Sequence, residues 1–306
     1  MREIAAAIDL GTNSARLIIG EVAEGKIFRH KVLRRITRLG GGFSELTGIS
    51  DEAKQRTISA LSEFAQEIKA NNVSKIRAVG TSAVRDAVNG KLFCEEVLQE
   101  TGIDLQIIDG KEEGLLTLQG VQAGLDKIPK SFLLFDIGGG STEYTIATNG
   151  IALFTKSLPM GVVRLTEGCK DVKNMSEKIS AHISEIYTDI SKLNLLPLLQ
   201  DSTLIGAAGT VTTLAAINMK MADYDYRKVN NHVLSLAEIL EIYDRLKPFT
   251  PEERLVNIVG LEKGREDLIL AGTIMTIETM KKFGFNKVKV SDFGLLEGLL
   301  LSVVKG

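Results

Sequence analysis

Apolar residues in the opening of the chain fall in short runs broken by Gly-rich or charged turns, the pattern of strands rather than helices. Strands are predicted over 3–9, 15–22 and 26–37. The period then changes: Ala53, Ile58, Leu61, Phe64, Ala65 and Ile68 form one helical stripe over 51–70, and Ser50 stands at the N-cap position. A strand at 75–80, a helix from about 82, another at about 91–101, a strand at 104–108 and a helix at 111–124 follow. The same succession then begins again. Strands are predicted over 131–137, 142–149 and 150–157, a helix from near Gly161, a longer one over about 175–193, a strand at 202–207 and a helix at 210–220. Residues 221–262 read as a less regular insertion, and a helix at 265–283, a strand at 286–291 and a helix at 293–304 complete the pattern.

The repetition extends to individual residues. Ile8-Asp9-Leu10-Gly11-Thr12-Asn13-Ser14-Ala15-Arg16 returns as Phe135-Asp136-Ile137-Gly138-Gly139-Gly140-Ser141-Thr142-Glu143, at a constant offset of 127 positions (residue 9 to residue 136). Each copy lies between two apolar runs, so each predicts a hairpin with a tight Gly-rich turn. Three strands followed by alternating helices and strands is a ribonuclease H-like layout, and two in tandem make the actin-like ATPase architecture. The expected fold is therefore α/β, with two such domains and an interdomain cleft. The boundary is expected in 124–130, giving domains 1–126 and 127–306, with the last helix, about 293–306, packing back on the first.

Composition changes this picture little. With 306 residues, 44% apolar and 25% charged, the chain is sized for two globular domains. A net charge of −2 advertises no nucleic-acid partner, so any basic site is local. Cys94 and Cys169 fit no metal spacing and read as thiols of a reducing compartment. No apolar run reaches the roughly 18 residues of a membrane span, and the start reads as a strand rather than a signal peptide. A cytoplasmic protein with no membrane partner is expected; a homodimer stays open.

Several segments carry candidate chemistry, each with a plainer alternative. Gly11-Thr12-Asn13-Ser14 offers close backbone approach and donors to a phosphate, with Arg16 beyond it; alone it is also an ordinary hairpin turn. In Gly138, Gly139, Gly140, Ser141 and Thr142 the glycines suit phosphate more strongly. Asp136 and Glu143 flank that turn as hard oxygen ligands suited to Mg²⁺, or else as a turn cap and a solvated charge. Arg85, in 81–87 at a helix start, could fork onto phosphate or sit as a surface charge. Glu112 and Glu113 are routine complements to a helix dipole, yet a carboxylate at that start could orient and deprotonate a water. Gly209 and Thr210, in a third Gly/Thr turn, could hold a further phosphate or a nucleotide, or simply pack a strand against a helix. The basic stretch 26–38 reads as a polyanion track or, more commonly, a solvated face.

Taken together, residues 7–17, 81–87, Glu112-Glu113, 136–143, 206–213, 265–272 and 290–298 resemble the exopolyphosphatase / guanosine pentaphosphate phosphatase (Ppx/GppA) family nearly end to end. The chain looks like its short, two-domain form. The resemblance implies hydrolysis of the terminal phosphate of inorganic polyphosphate, or of the 5′-terminal phosphate of pppGpp, a nucleotide of the stringent response. It implies that Glu113 acts on the attacking water, and that Asp136 and Glu143 hold Mg²⁺ or another divalent cation. Phosphate contacts are implied for Thr12, Asn13, Ser14, Arg85 and residues 138–142. Leu115 and Leu296 stand where the family often has Arg, which bears on chain-length preference. The alternative on the same fold is an ATP-dependent kinase or an actin-like ATPase.

Overall fold

In the computed structural model, residues 3–42 and 48–305 are described, with side chains from 4 to 304 at the two ends. The outermost residues of the two expected domains, 1–2 and 306, lie outside this set. The chain divides into two compact units: Met1–Ala123 with Gly294–Gly306, and Gly124–Phe293.

Among the described residues, the first unit is built on five strands: β1 (Glu3–Leu10), β2 (Ser14–Ala23), β3 (Lys26–Ile36), β4 (Lys75–Gly80) and β5 (Leu105–Ile107), in the order β3-β2-β1-β4-β5. β1, β2 and β3 form an antiparallel meander, whereas β4 and β5 run parallel to β1. One face is covered by α1 (Asp51–Ala70) and α3 (Gly90–Thr101), which bury Leu61, Phe64 and Phe93 against Ile8, Leu17 and Ile19. Ser50 caps α1 through the Ala53 amide, as the sequence predicts. On the other face, Leu116 of α4 (Gly110–Gly124) joins Leu295, Leu299 and Leu300 of the last helix, α12 (Leu295–Lys305), over Ala5, Ala7 and Ile18. A Cβ on Gly298 would fall on the Leu116 carbonyl, so α12 and α4 meet backbone to backbone. Buried Glu297 ties α12 down: Oε1 accepts from Arg29 Nη2 of β3 at 2.8 Å and Oε2 from the Gly294 amide at 2.8 Å. The helix expected from about 82 is a single turn, α2 (Ser82–Arg85).

The second unit repeats the order and extends it. Its strands are β6 (Ser131–Ile137), β7 (Thr142–Thr148), β8 (Ile151–Leu158), β9 (Thr203–Ala207), β10 (Val233–Ser235) and β11 (Lys287–Val290), arranged β10-β11-β9-β6-β7-β8. Leaving out β10, an added antiparallel edge, this is the topology of the first unit. Even the irregularity is duplicated: the β2–β3 pairing shifts register between Ile19 and Gly20, and β7–β8 between Ile146 and Ala147, the same place in the repeat. The core gathers Phe135, Tyr144 and Ile146 from the sheet with Ile179, Ile183 and Ile186 of α6 (Val172–Lys192) and Met275 of α11 (Ile269–Phe283). Buried Tyr144 satisfies its hydroxyl on Thr279 at 2.7 Å.

The segment 221–262 departs from expectation. It contains α8 (Tyr226–Val229), β10, α9 (Leu236–Leu246) and α10 (Pro251–Asn257). Two capping boxes organise it, Ser235 with Glu238 and Thr250 with Glu253, and Pro251 stands in the first turn of α10. Each box satisfies helix-end amides reciprocally, which lets short helices form where the hydrophobic pattern is weak. Among the described residues, no helix is long and apolar enough to cross a membrane.

Candidate functional site

In the first unit the candidate groups collect at the C-terminal ends of β1, β4 and β5, the edge where open α/β sheets bind ligands. The β1–β2 turn is closed by the Gly11 amide on Ser14 O at 3.0 Å. Residues 37–40 buttress it: Asn13 O accepts from the amides of Thr37 (3.1 Å) and Arg38 (2.9 Å), and Thr12 O from Gly40 (2.9 Å). Thr81 N reaches Leu10 O at 3.1 Å, which brings α2 beside the turn, and Thr12 Oγ1 meets Ser82 Oγ at 2.9 Å. Asp109 then starts α4 by accepting the Glu112 amide at 2.8 Å.

Adjacent glutamates in that first turn take different directions. Glu112 pairs with Arg77 at 2.6 Å on the surface. Glu113 is only 8% exposed, and its Oε2 lies 3.4 Å from Arg85 Nη1. Arg85 also touches the Ile108 carbonyl and the Asp86 carboxylate, so it is a cross-brace between α2 and α4 and not a loose surface charge.

The second unit has the same turn, closed by Gly138 N on Ser141 O at 3.0 Å, with different chemistry beside it. Asp9 and Arg16 face each other across β1–β2 and form an ion pair at 2.5 Å. Asp136 and Glu143 face each other across β6–β7, and both are carboxylates, 9% and 2% exposed. Like charges directly opposed on one sheet face repel, and burial sharpens the repulsion. A divalent cation fits this donor set. Among the described residues no group of three or more His, Cys, Asp or Glu gathers for a metal; two carboxylates, completed by water and phosphate oxygens, match the way Mg²⁺ is commonly held. Glu143 Oε1 also accepts from Ser157 Oγ of β8 at 2.7 Å.

The glycine turn itself is clasped from behind by α5 (Val162–Gly168). Gly138 O accepts from Val162 N (3.0 Å), Gly139 O from Val163 N (2.8 Å), and Gly140 O from Arg164 Nε (3.1 Å). These carbonyls point into the protein, the arrangement that leaves amides of a turn for an anion. Ser141 and Thr142 are buried, and the Thr142 hydroxyl donates to Met160 O, so its one donor is used internally. A Cβ on Gly161 would fall on Gly139 O and Gly140 N. Gly161→Ala is therefore expected to push α5 off the turn, costing about 1–3 kcal/mol in a urea melt and lowering activity with it.

The third turn is closely packed. A side chain on Gly209 would collide with the Arg265 guanidinium, and Thr210 lies against Gly272. Arg265 is held by Glu262 at 3.0 Å. Nearby Tyr224 donates to Asp292, and burial first, then that carboxylate, pushes its hydroxyl well above the usual range. Gly209 and Thr210 thus belong to a built surface at the start of α7 (Ala208–Asn218). The basic stretch on β3 is largely matched with acid: Arg29 with Glu297, Lys31 with Glu67, Arg35 with Glu63. Cys94 and Cys169 are unpaired, and burial pushes the Cys94 thiol up to about 11.

Sequence reasoning misses Ser82, Ser157 and the clasping role of Gly161. Ser82 reads as the N-cap of the helix that follows, but Thr81 takes that position and Ser82 is the first helical residue; nothing local in the sequence reveals which strand residue faces Glu143.

Two ribonuclease H-like units, each with a Gly-rich hairpin beside an opposed acidic pair or ion pair, define a phosphate-handling protein of the actin-like class. A model of the Ppx/GppA phosphatase family matches residues 18–306, and the chain belongs to that family. It is 33% identical to an exopolyphosphatase 2 of Mycobacterium tuberculosis, over 97% of this chain and 98% of that one. It is 30% identical to a guanosine-5′-triphosphate,3′-diphosphate pyrophosphatase of Aliivibrio fischeri, over 99% of this chain and 60% of the relative. The crystal structure of the Aquifex aeolicus member of the family superposes with a TM-score of 0.82 at 31% identity, covering 100% of this chain and 98% of that one.

Proposed function

We propose that this protein releases the terminal phosphate of inorganic polyphosphate, and the 5′-terminal phosphate of pppGpp, by in-line attack of water. The observation that carries the reading is the contrast between the duplicated hairpins. Where one copy has Asp9 with Arg16, the other has Asp136 with Glu143, and the first unit also buries Glu113. The names of the relatives support the substrates, and the exopolyphosphatase matches over nearly its whole length.

In this reading Glu113 accepts a hydrogen bond and then a proton from the attacking water, a general-base role. Arg85 braces that carboxylate and presents positive charge to the substrate. Arg16, paired with Asp9, also presents positive charge to the substrate. In each unit's turn the amides not spent on closing it, 12–14 in the first and 139–142 in the second, suit non-bridging phosphate oxygens, where charge is spread in phosphoryl transfer. Asp136 and Glu143 would hold Mg²⁺ or another divalent cation, which when bound draws electron density from the phosphoryl group. The unpaired cysteines suit a cytoplasmic setting.

The test is phosphate release by the full chain with Mg²⁺ and, separately, long-chain polyphosphate, pppGpp and ATP. Release from polyphosphate and pppGpp should exceed that from ATP. Turnover of ATP alone would replace this reading with the kinase or ATPase one.

A further inference from the structure

We propose that Ser157 is a positioning residue for Glu143 and so helps set divalent-cation affinity at the Asp136–Glu143 pair. The inference rests on the reading of that pair as a cation site. Read across the sheet, β6, β7 and β8 place Asp136, Glu143 and Ser157 in one row, each opposite the next. Directly opposed residues share a face, and the Ser157 hydroxyl makes use of this by donating to Glu143 Oε1 at 2.7 Å. A hydroxyl has a single proton to give. Spending it on Oε1 favours one rotation of the carboxylate about its last bond.

The neighbours show why a neutral donor matters. In the first unit the corresponding row is Asp9, Arg16 and Arg34, with cations at the second and third places. A cation opposite Glu143 would neutralise it and compete with a metal. The second unit has a cation one residue away, Lys156, but strand alternation turns it to the opposite face. There Glu185 (2.7 Å) and Asp189 (2.6 Å) on α6 hold it, and those bonds raise its pKa. The residue beside the acidic pair thus orients Glu143 without cancelling its charge. Partners that orient metal-binding side chains typically contribute 10–100-fold to affinity.

The measurement is Mn²⁺ binding to the full chain without substrate, followed by electron paramagnetic resonance. Ser157→Thr and Ser157→Val have nearly the same shape and differ in the hydroxyl, and thermal melts establish that both fold. Ser157→Val should bind Mn²⁺ about 10–100-fold more weakly, while Ser157→Thr stays close to wild type. Equal binding by the Val variant and the wild type, with Asp136→Asn impaired, overturns the role of Ser157 and leaves the pair intact. Equal weakening in Val and Thr variants also overturns it, because packing and not the hydroxyl is then responsible. Unchanged binding in Asp136→Asn and Glu143→Gln, or none in the wild type, overturns the cation site itself.

Discussion

Glu113→Gln should lower phosphate release from polyphosphate by about 10²–10⁴-fold, the usual contribution of a positioned general base. Gln has the shape of Glu and can still orient a water, but its amide cannot take a proton. Glu113 is the acid of its turn that faces inward, 8% exposed and braced by Arg85 at 3.4 Å. Glu112 cannot replace it, because successive helix residues diverge by about 100° and Glu112 is drawn outward to Arg77. Glu112→Gln should therefore keep near-normal turnover. Initial rates for the two variants, with melts to show that both fold, decide the matter. Activity in Glu113→Gln above about a hundredth of wild type would remove Glu113 from the general-base role, since such a base typically contributes about 10²-fold or more.

Glu143→Gln should lose turnover by a similar margin and, more tellingly, lose the stabilisation that Mg²⁺ gives the folded chain. A ligand bound only by the native state at about 100 times its dissociation constant adds about 2.7 kcal/mol. For a unit of this size that raises the melting temperature by roughly 5–10 °C. The wild type should show that rise on going from EDTA to Mg²⁺. Glu143→Gln keeps an acceptor for the Ser157 hydroxyl but has one charge fewer beside Asp136, so its two melts should coincide. An undiminished Mg²⁺ shift in this variant would mean that the cation binds elsewhere.

Much of the fold was legible because the chain repeats itself. Once Asp9 and Asp136 are aligned, the strand order of one half can be read from the other, and the structures of both units agree with it. Family membership and α/β class follow from the same residues. Two capping boxes, at 235–238 and 250–253, were also written in the sequence, but they lie where hydrophobic periodicity is weak and so passed as irregular chain. The site was less legible. Local sequence does not distinguish Glu112 from Glu113, because both satisfy the same helix dipole; only the surrounding strands decide which turns inward. Ser157 is hidden for a different reason. Counting back from the Asn149-Gly150 turn pairs Glu143 with Lys156, and the bulge between Ile146 and Ala147 moves that partner by one. A one-residue slip exchanges the faces of a strand, so hairpin counting would have predicted a salt bridge where the structure has a hydroxyl.

The first unit is assembled from both ends of the chain, and this sets an order on its birth. On the ribosome, β1 to α4 emerge early, yet the sheet face bearing Ala5, Ala7 and Ile18 lacks Leu295, Leu299 and Leu300 until α12 is made. At typical synthesis rates the whole of 124–293 intervenes, a delay of roughly 10–30 s. The second unit, continuous in sequence, can close its core during that interval. The half of the protein begun first is thus finished last, and its uncovered sheet face is what a nascent-chain chaperone would meet.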